Sequence, residues 1–256
     1  MKTFVLVFAR DNYFISKKIE ELENIGMPYL IICGEKTDRT NVVYRKPIGK
    51  YDAINFGIRF VPKDADIVVL NDVDTEIRGI KTALMHIEDK RVGLVFSRVS
   101  VKNGSQKTFY LFLDAIRKII PITASGELML MRSEVLSKIL PIRPCKAEDS
   151  YLLFKVLEFG YKTIFCQKSY VLTERTKKAE DETNYKRRTT TGLYQALSYT
   201  KPPVVVKLFY TILPLMSPLL LVLGRKGYYW MNGILLGFID YLRGDRNGYW
   251  KAIYIR

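Results

Sequence analysis

Apolar runs of strand length recur through the first hundred residues at intervals that leave room for a helix between them, and this rhythm restricts the fold more than any other feature. TFVLVFA (3–9), YLIIC (29–33), DIVVLN (66–71) and the run over 92–97 read as strands. Between them, Ile15, Ile19, Leu22 and Ile25 mark one face of a helix that Gly26 ends. Residues 50–61 suit a second helix, and 79–89 carries Ile80, Leu84 and Ile87 on one side of a third. The alternation predicts an α/β fold with a mostly parallel sheet covered on both faces by helices. Ligands of such sheets bind beyond the carboxyl ends of the strands.

The second half is less regular. A helix is expected over 108–120, a strand at LMLMR (128–132), a helix from Glu148 to Gly160 and a strand at YKTIFC (161–166). Residues 173–188, TERTKKAEDETNYKRR, are highly charged and show no apolar period, which predicts an exposed, mobile loop. No internal repeat is visible.

From Pro202 the composition changes. VVVKLFYTILPLMSPLLLVL (204–223) holds one charge, Lys207, and as a helix would be about 30 Å long, enough to cross the hydrocarbon layer. Pro214 and Pro218 would kink it. After Arg225 and Lys226 follows a shorter apolar stretch, 228–242, with aromatic residues at its start and Asp240 near its end, and then a basic tail. The sequence therefore divides into a catalytic-type domain, 1–200, and a membrane-associated helical hairpin with a basic tail, 201–256. The hairpin is spanning or re-entrant, with both ends on the cytoplasmic side, or else a pair of core helices. No secretory signal is expected, since MKTFVLVFA reads as a first strand.

Charge and cysteines bound the partners. The chain of 256 residues has 41 Lys and Arg against 26 Asp and Glu, a formal charge of +15 that favours anionic partners: nucleotide phosphates, an acidic membrane surface or nucleic acid. No nucleic-acid motif accompanies it. Cys33, Cys145 and Cys166 form no CxxC, which argues against a zinc cluster or a disulfide framework and for a reducing, cytoplasm-facing environment. With a single histidine, His86, in an expected surface helix, a Ser-His-Asp triad is disfavoured.

The chemistry-bearing residues sit at element ends. The strand over 66–71 runs into Asp72 and Asp74, two carboxylates one residue apart. This is either a solvated turn or a site for Mg²⁺ or Mn²⁺ that would in turn hold a diphosphate. Upstream, Gly49 and Lys50 begin a helix, a place suited to anions, with Asn55 on its first turns. Glu148 and Asp149 open another helix; they either cap it or supply a base that takes a proton from an attacking hydroxyl. Arg187 and Arg188 close the charged stretch, where a fork of donors suits a departing diphosphate.

Taken in order, ARDN (9–12), GKYDAIN (49–55), IVVLNDVDT (67–75), SGELMLMRSEVL (125–136), AEDSYLLFKVLEFGYK (147–162) and KRRTTTG (186–192), followed by a hydrophobic tail, resemble the family 2 glycosyltransferases, polysaccharide-synthase-like and membrane-associated, over nearly all of residues 3–200. The resemblance implies the GT-A nucleotide-sugar-binding fold and an inverting, metal-dependent hexosyltransferase. It assigns Asp72 to the nucleotide, Asp74 with Asp72 to the metal, Asp149 with its neighbour Glu148 to the base, and Arg188 to the leaving group. Lys50, Asn55, Arg187, Asp11 and Glu35 (or Asp38) are the remaining donor-side candidates. The QxxRW motif of polysaccharide synthases reads here Tyr185, Arg188 and Thr189, with Gly192 in register; loss of Gln and Trp argues against processive polymer synthesis. The implied donor is a UDP-sugar, or a GDP-sugar. The acceptor is a glycan or lipid-linked hydroxyl, or alternatively a polyprenyl phosphate. A nucleotidyltransferase and a non-catalytic basic membrane-binding protein are the other classes compatible with the sequence.

Overall fold

The computed structural model describes every residue except 104–106, 121, 175–177 and 249–256. Its centre is one eight-stranded sheet: β1 (Thr3–Ala9), β2 (Tyr29–Cys33), β3 (Val42–Tyr44), β4 (Ile67–Asp72), β5 (Glu76–Arg78), β6 (Val92–Val101), β7 (Leu128–Arg132) and β8 (Lys162–Thr173), in the spatial order β3-β2-β1-β4-β7-β6-β8-β5. The half made of β3, β2, β1 and β4 is wholly parallel. In the other half β7 runs antiparallel to both β4 and β6, while β6 and β8 are parallel.

Helices cover both faces, and strand alternation divides the core between them. On β1, Phe4, Leu6 and Phe8 point to the face packed by α2 (Lys50–Gly57), α5 (Ser133–Ile139) and α6 (Glu148–Glu158). Val5, Val7 and Ala9 point to the face packed by α1 (Ile15–Ile25) and α3 (Ile80–Ile87), with α4 (Lys107–Ile119) beside β6. Because both faces are dry, the central strands read as nearly unbroken apolar runs; each buried Val or Leu side chain contributes about 1.5–3 kcal/mol.

The expected loop over 173–188 is helical from Ala179 onward, and its residues 175–177 lie outside the described residues. β8 continues to Thr173, and Ala179–Tyr199 forms a 21-residue helix, α7. An apolar period is absent because α7 is held by close backbone approach and polar contacts. Its partner α9 (Arg225–Leu242) presents Gly233 and Gly237, where an added Cβ would lie 2.8 Å from Thr183 O and 2.4 Å from Arg187 O. Thr183 Oγ1 donates to Tyr229 O, Thr191 Oγ1 to Gly237 O, and Arg187 forks onto Asp240 at 2.5 and 2.7 Å. Glycines on one helix thus replace a hydrophobic stripe on the other.

The apolar segment Val204–Leu223 is long and apolar enough to cross a membrane by length and composition. It divides into α8 (Val204–Met216) and a 3₁₀ stretch, Ser217–Leu223. Pro214 is accommodated inside α8; the helix stops two residues before Pro218, as the steric restriction ahead of a proline favours. The Trp250-containing end of the basic tail lies outside the described residues.

Candidate active site

The site is built at the carboxyl end of β4, where the apolar run gives way to Asn71, Asp72, Val73 and Asp74. What shapes this turn is a buried polar network beneath it. Asn71, fully buried, donates to Glu127 O (2.7 Å) and Thr75 Oγ1 (2.9 Å), and Thr75 Oγ1 donates to Asp72 O (2.8 Å). Under both lies Lys18 of α1, 2% exposed, whose ammonium reaches Asn71 Oδ1 (2.9 Å), Thr75 O and Glu21 Oε2 (2.7 Å). Burial lowers the pKa of Lys18, and Glu21, Asp74 and Asp72 act against that shift. A buried ammonium with three oxygen partners holds the Asp72–Thr75 backbone in one arrangement.

Above the turn, α2 delivers Lys50 from its first residue. Its Nζ lies 2.7 Å from Asp72 Oδ1 and 3.4 Å from Glu148 Oε1, and it donates to Gly126 O at 2.8 Å. Burial works against the Lys50 charge, but Asp72 and Glu148 outweigh it and hold its pKa far above the ordinary value. Gly126 permits this convergence: an added Cβ would lie 3.3 Å from Lys50 Nζ and 3.4 Å from Asp149 Oδ2. Asp72, Glu148, Asp149 and Lys50 therefore form one cluster around the Gly126–Glu127 backbone.

The two aspartates of the cluster titrate high. Asp72 keeps 27% of its side chain exposed, yet its carboxyl is pushed up to about 6, by burial first and by Asp74 and Glu127 after it, against the pull of Lys50. Asp149 is pushed up to about 7, by burial first, then by Glu148 and Glu127, with the Ser150 N–H and Lys50 opposing. Its Oδ1 accepts the Ser150 N–H at 2.7 Å, which aims the carboxyl at the start of α6. A carboxyl half ionised near neutral pH is suited to take up a proton and give it back.

The remaining candidates are placed as follows. Asp74 is exposed and enters no ion pair among the described residues. Asn55 is not brought to the cluster: its amide donates to Ile142 O (2.9 Å) and accepts from Ile142 N (2.8 Å), tying α2 to the loop ahead of α6. Asp11 and Glu35 sit beyond the carboxyl ends of β1 and β2, where Asp11 accepts from Tyr13 N and Glu35 from Asn12 N. Arg187 is engaged by Asp240 of α9. Arg188 lies on α7 one turn before Gly192, and an added Cβ at Gly192 would come within 2.4 Å of Ala147 N, just ahead of Glu148. The Arg188 guanidinium stacks over Tyr185, 5.1 Å from the ring centroid.

Sequence reasoning missed Lys18, Asn71, Gly126 and Glu127. For Lys18 a signal existed: it falls between Ile15 and Leu22 on the apolar face of α1, where a lysine is out of place unless paired.

No cluster of three or more metal-ligating His, Cys, Asp or Glu side chains occurs among the described residues. Asp74 is accessible at the tip of β4, two residues from a carboxylate whose Oδ1 Lys50 occupies. Hard cations of the Mg²⁺ class are commonly held by one or two carboxylates and completed by substrate phosphates and water, and the Asp72–Asp74 pair fits that pattern.

No protein-family model matches the chain, and no curated protein matches its sequence. Solved structures do. A mannosyltransferase from Pyrobaculum calidifontis, in complex with GDP-Man and Mn²⁺, superposes with a TM-score of 0.71 at 15% identity, over 95% of this chain and 88% of that one. TarS of S. aureus (residues 1–349) gives 0.53 at 14% identity, over 96% and 92%. Glucosyl-3-phosphoglycerate synthase of M. tuberculosis gives 0.53 at 16% identity, over 79% and 82%. With its sheet order, its strand-end carboxylates and these likenesses together, the chain has the GT-A glycosyltransferase fold.

Proposed function

We propose that this protein is an inverting, metal-dependent glycosyltransferase that moves a sugar from a nucleotide-sugar donor to a hydroxyl of a glycan or glycolipid acceptor at the membrane. The observation that carries the reading is the convergence of Asp72, Glu148 and Asp149 on one half-buried lysine at the end of β4. Both carboxylate functions the reaction needs, one for the donor and one for the acceptor, then belong to one site.

In this reading Asp72 and Asp74 hold a divalent cation, which when bound supplies positive charge to the donor diphosphate. Lys50 keeps Asp72 in place and draws Glu148 to the same site. Asp149, with its pKa raised to about 7, accepts the proton of the acceptor hydroxyl as that oxygen attacks the anomeric carbon from the face opposite the nucleotide. Arg188 stabilises the leaving diphosphate from α7. An already ionised phosphate acceptor would not need such a base, which favours the hydroxyl. Asp11 and Glu35 flank the ends of β1 and β2, where a nucleotide base would lie in a sheet of this kind. The donor is a UDP-sugar or a GDP-sugar, and the mannosyltransferase neighbour, solved with GDP-Man, supports the GDP-sugar on an equal footing. The catalytic domain lies on the cytoplasmic side, where its three buried free cysteines stay reduced.

A thermal-shift screen of UDP, GDP and their sugars, with and without Mn²⁺, tests the proposal. Ligand at 100 times its Kd stabilises the native state by about 2.7 kcal/mol. A shift that requires both nucleotide and Mn²⁺ is expected; the absence of any shift across the panel would overturn it.

A further inference from the structure

The segment Val204–Leu223 has two unlike faces. Val206, Tyr210 and Pro214, spaced by four, are buried together with Ser217. Tyr210 donates through its hydroxyl to Ile122 O, and Tyr194 Oη donates to Tyr210 O at 2.8 Å. This face is part of the catalytic core, contiguous with Phe154 and Tyr151 of α6. The opposite face is bare apolar surface: Val204 (79% exposed), Leu208, Ile212, Leu215 (82%), Leu219 and Val222 (85%). Such a patch on a folded domain marks a contact with something apolar.

Its geometry excludes a crossing helix and selects an in-plane one. A lone spanning helix meets lipid on all sides, whereas α8 has one face sealed into the sheet-bearing domain along its length. After Leu223, Gly224 turns the chain with φ of 65°, and α9 returns along α7 with its glycine face in backbone contact. Charge identifies the occupant. From 201 through 239 the sequence contains no Asp or Glu, while Lys201, Lys207, Arg225 and Lys226 are all exposed around the patch. An apolar face whose own segment carries exposed cations and no acid, with Glu158 of α6 beside Lys201 alone, suits an anionic bilayer, and like charges oppose pairing of two copies.

We propose that α8 and the Ser217–Leu223 stretch lie flat in the headgroup boundary of an anionic membrane, with Leu208, Ile212, Leu215, Leu219 and Val222 sunk into the acyl layer and the four cations on the headgroups. The membrane part of the proposed function is thereby given a mode of attachment, and that mode stands apart from the sugar chemistry. It also places the site near the bilayer: Ile122, bonded by Tyr210, is four residues of chain from Gly126, so a lipid-linked acceptor would arrive beside Asp149.

The test uses the full chain and co-sedimentation with phosphatidylcholine vesicles, with and without phosphatidylglycerol. Binding that requires phosphatidylglycerol is expected, weakened roughly tenfold or more by Leu215→Glu with Val222→Glu, since interfacial affinity scales with buried apolar area. Both positions are exposed, so thermal unfolding and the nucleotide-induced shift stay as in the unmodified chain. A lost nucleotide shift alone would count against the sugar chemistry and not against the membrane face. A probe placed by Lys226→Cys, with Cys33, Cys145 and Cys166 buried, reports the mode. Labelling by an impermeant maleimide outside intact vesicles supports the in-plane helix, and protection would overturn it. Failure to bind anionic vesicles, or a dimer in ultracentrifugation that the double substitution disperses, would overturn the proposal as well.

Discussion

Replacing Lys50 by Met removes the only cation in direct contact with both Asp72 and Glu148 among the described residues, while keeping an unbranched side chain only one heavy atom shorter. At an effective dielectric of about 20, a contact of 2.7 Å to Asp72 contributes about 6 kcal/mol of attraction and one of 3.4 Å to Glu148 about 5 kcal/mol. Desolvation of the 16%-exposed lysine offsets much of this, and loss of one partner from a buried pair typically costs 3–5 kcal/mol. For a chain of this size that is a fall in Tm of roughly 6–20 °C. The pH dependence is the sharper test. Asp72 and Asp149 have folded pKa values raised to about 6 and about 7, so each favours the folded state fully below its unfolded value and loses that contribution as pH rises through its folded value. Lys50 lowers both, so its removal pushes both higher still and steepens the decline. Chemical denaturation of metal-free protein should therefore show Lys50→Met several kcal/mol less stable than the unmodified chain at pH 8 and much closer to it at pH 5. An equal deficit at both pH values, or a deficit below about 1 kcal/mol at pH 8, would refute the electrostatic account of the cluster.

Further outcomes are expected. Asp149→Asn should keep the nucleotide-induced thermal shift and lower transfer by roughly 10²–10⁴-fold, with the unmodified enzyme's kcat rising through pH 7 as Asp149 ionises; equal loss of donor binding would make Asp149 a structural cap instead. Lys18→Met paired with Glu21→Gln should weaken Mn²⁺ binding, read by electron paramagnetic resonance, because the Asp72–Thr75 turn loses its anchor. Leu22→Ala, a fully buried site on the same helix, should cost stability by about 2–5 kcal/mol without that weakening. If both variants bind Mn²⁺ alike, Lys18 is structural only.

Much of this candidate site is legible in the sequence because its parts are local. Asp72 and Asp74 announce themselves by ending an apolar run, and Glu148–Asp149 and Lys50 by opening helices; element ends are where a linear pattern and a candidate position coincide. The parts that depend on register between distant segments were not legible. Gly126 and Glu127 matter because β7 lies antiparallel to β4, and no local feature of SGELM shows that. Arg187 and Arg188 look alike in sequence, yet the 100° step between neighbours on a helix sends one to Asp240 and leaves the other on the turn before Gly192. The helix α7 escaped a periodicity argument because its contact with α9 is made by glycines and threonines. The same contact changes what a truncation means. Removing 203–256 would strip α9 from α7 and Tyr210 from the core, so membrane release is better tested by exposed substitutions on α8 than by deletion.

The proposed function depends on a cation shared by Asp72, Asp74 and a nucleotide diphosphate. Calorimetric titration of UDP and GDP into the unmodified chain and into Asp74→Asn, each with and without Mn²⁺, tests it most directly. The account predicts binding to the unmodified chain that strengthens at least about tenfold with Mn²⁺, a difference of about 1.4 kcal/mol, and a loss of that strengthening in Asp74→Asn at unchanged thermal stability. Mn²⁺-independent binding, or an Asp74→Asn titration that matches the unmodified chain, would contradict it.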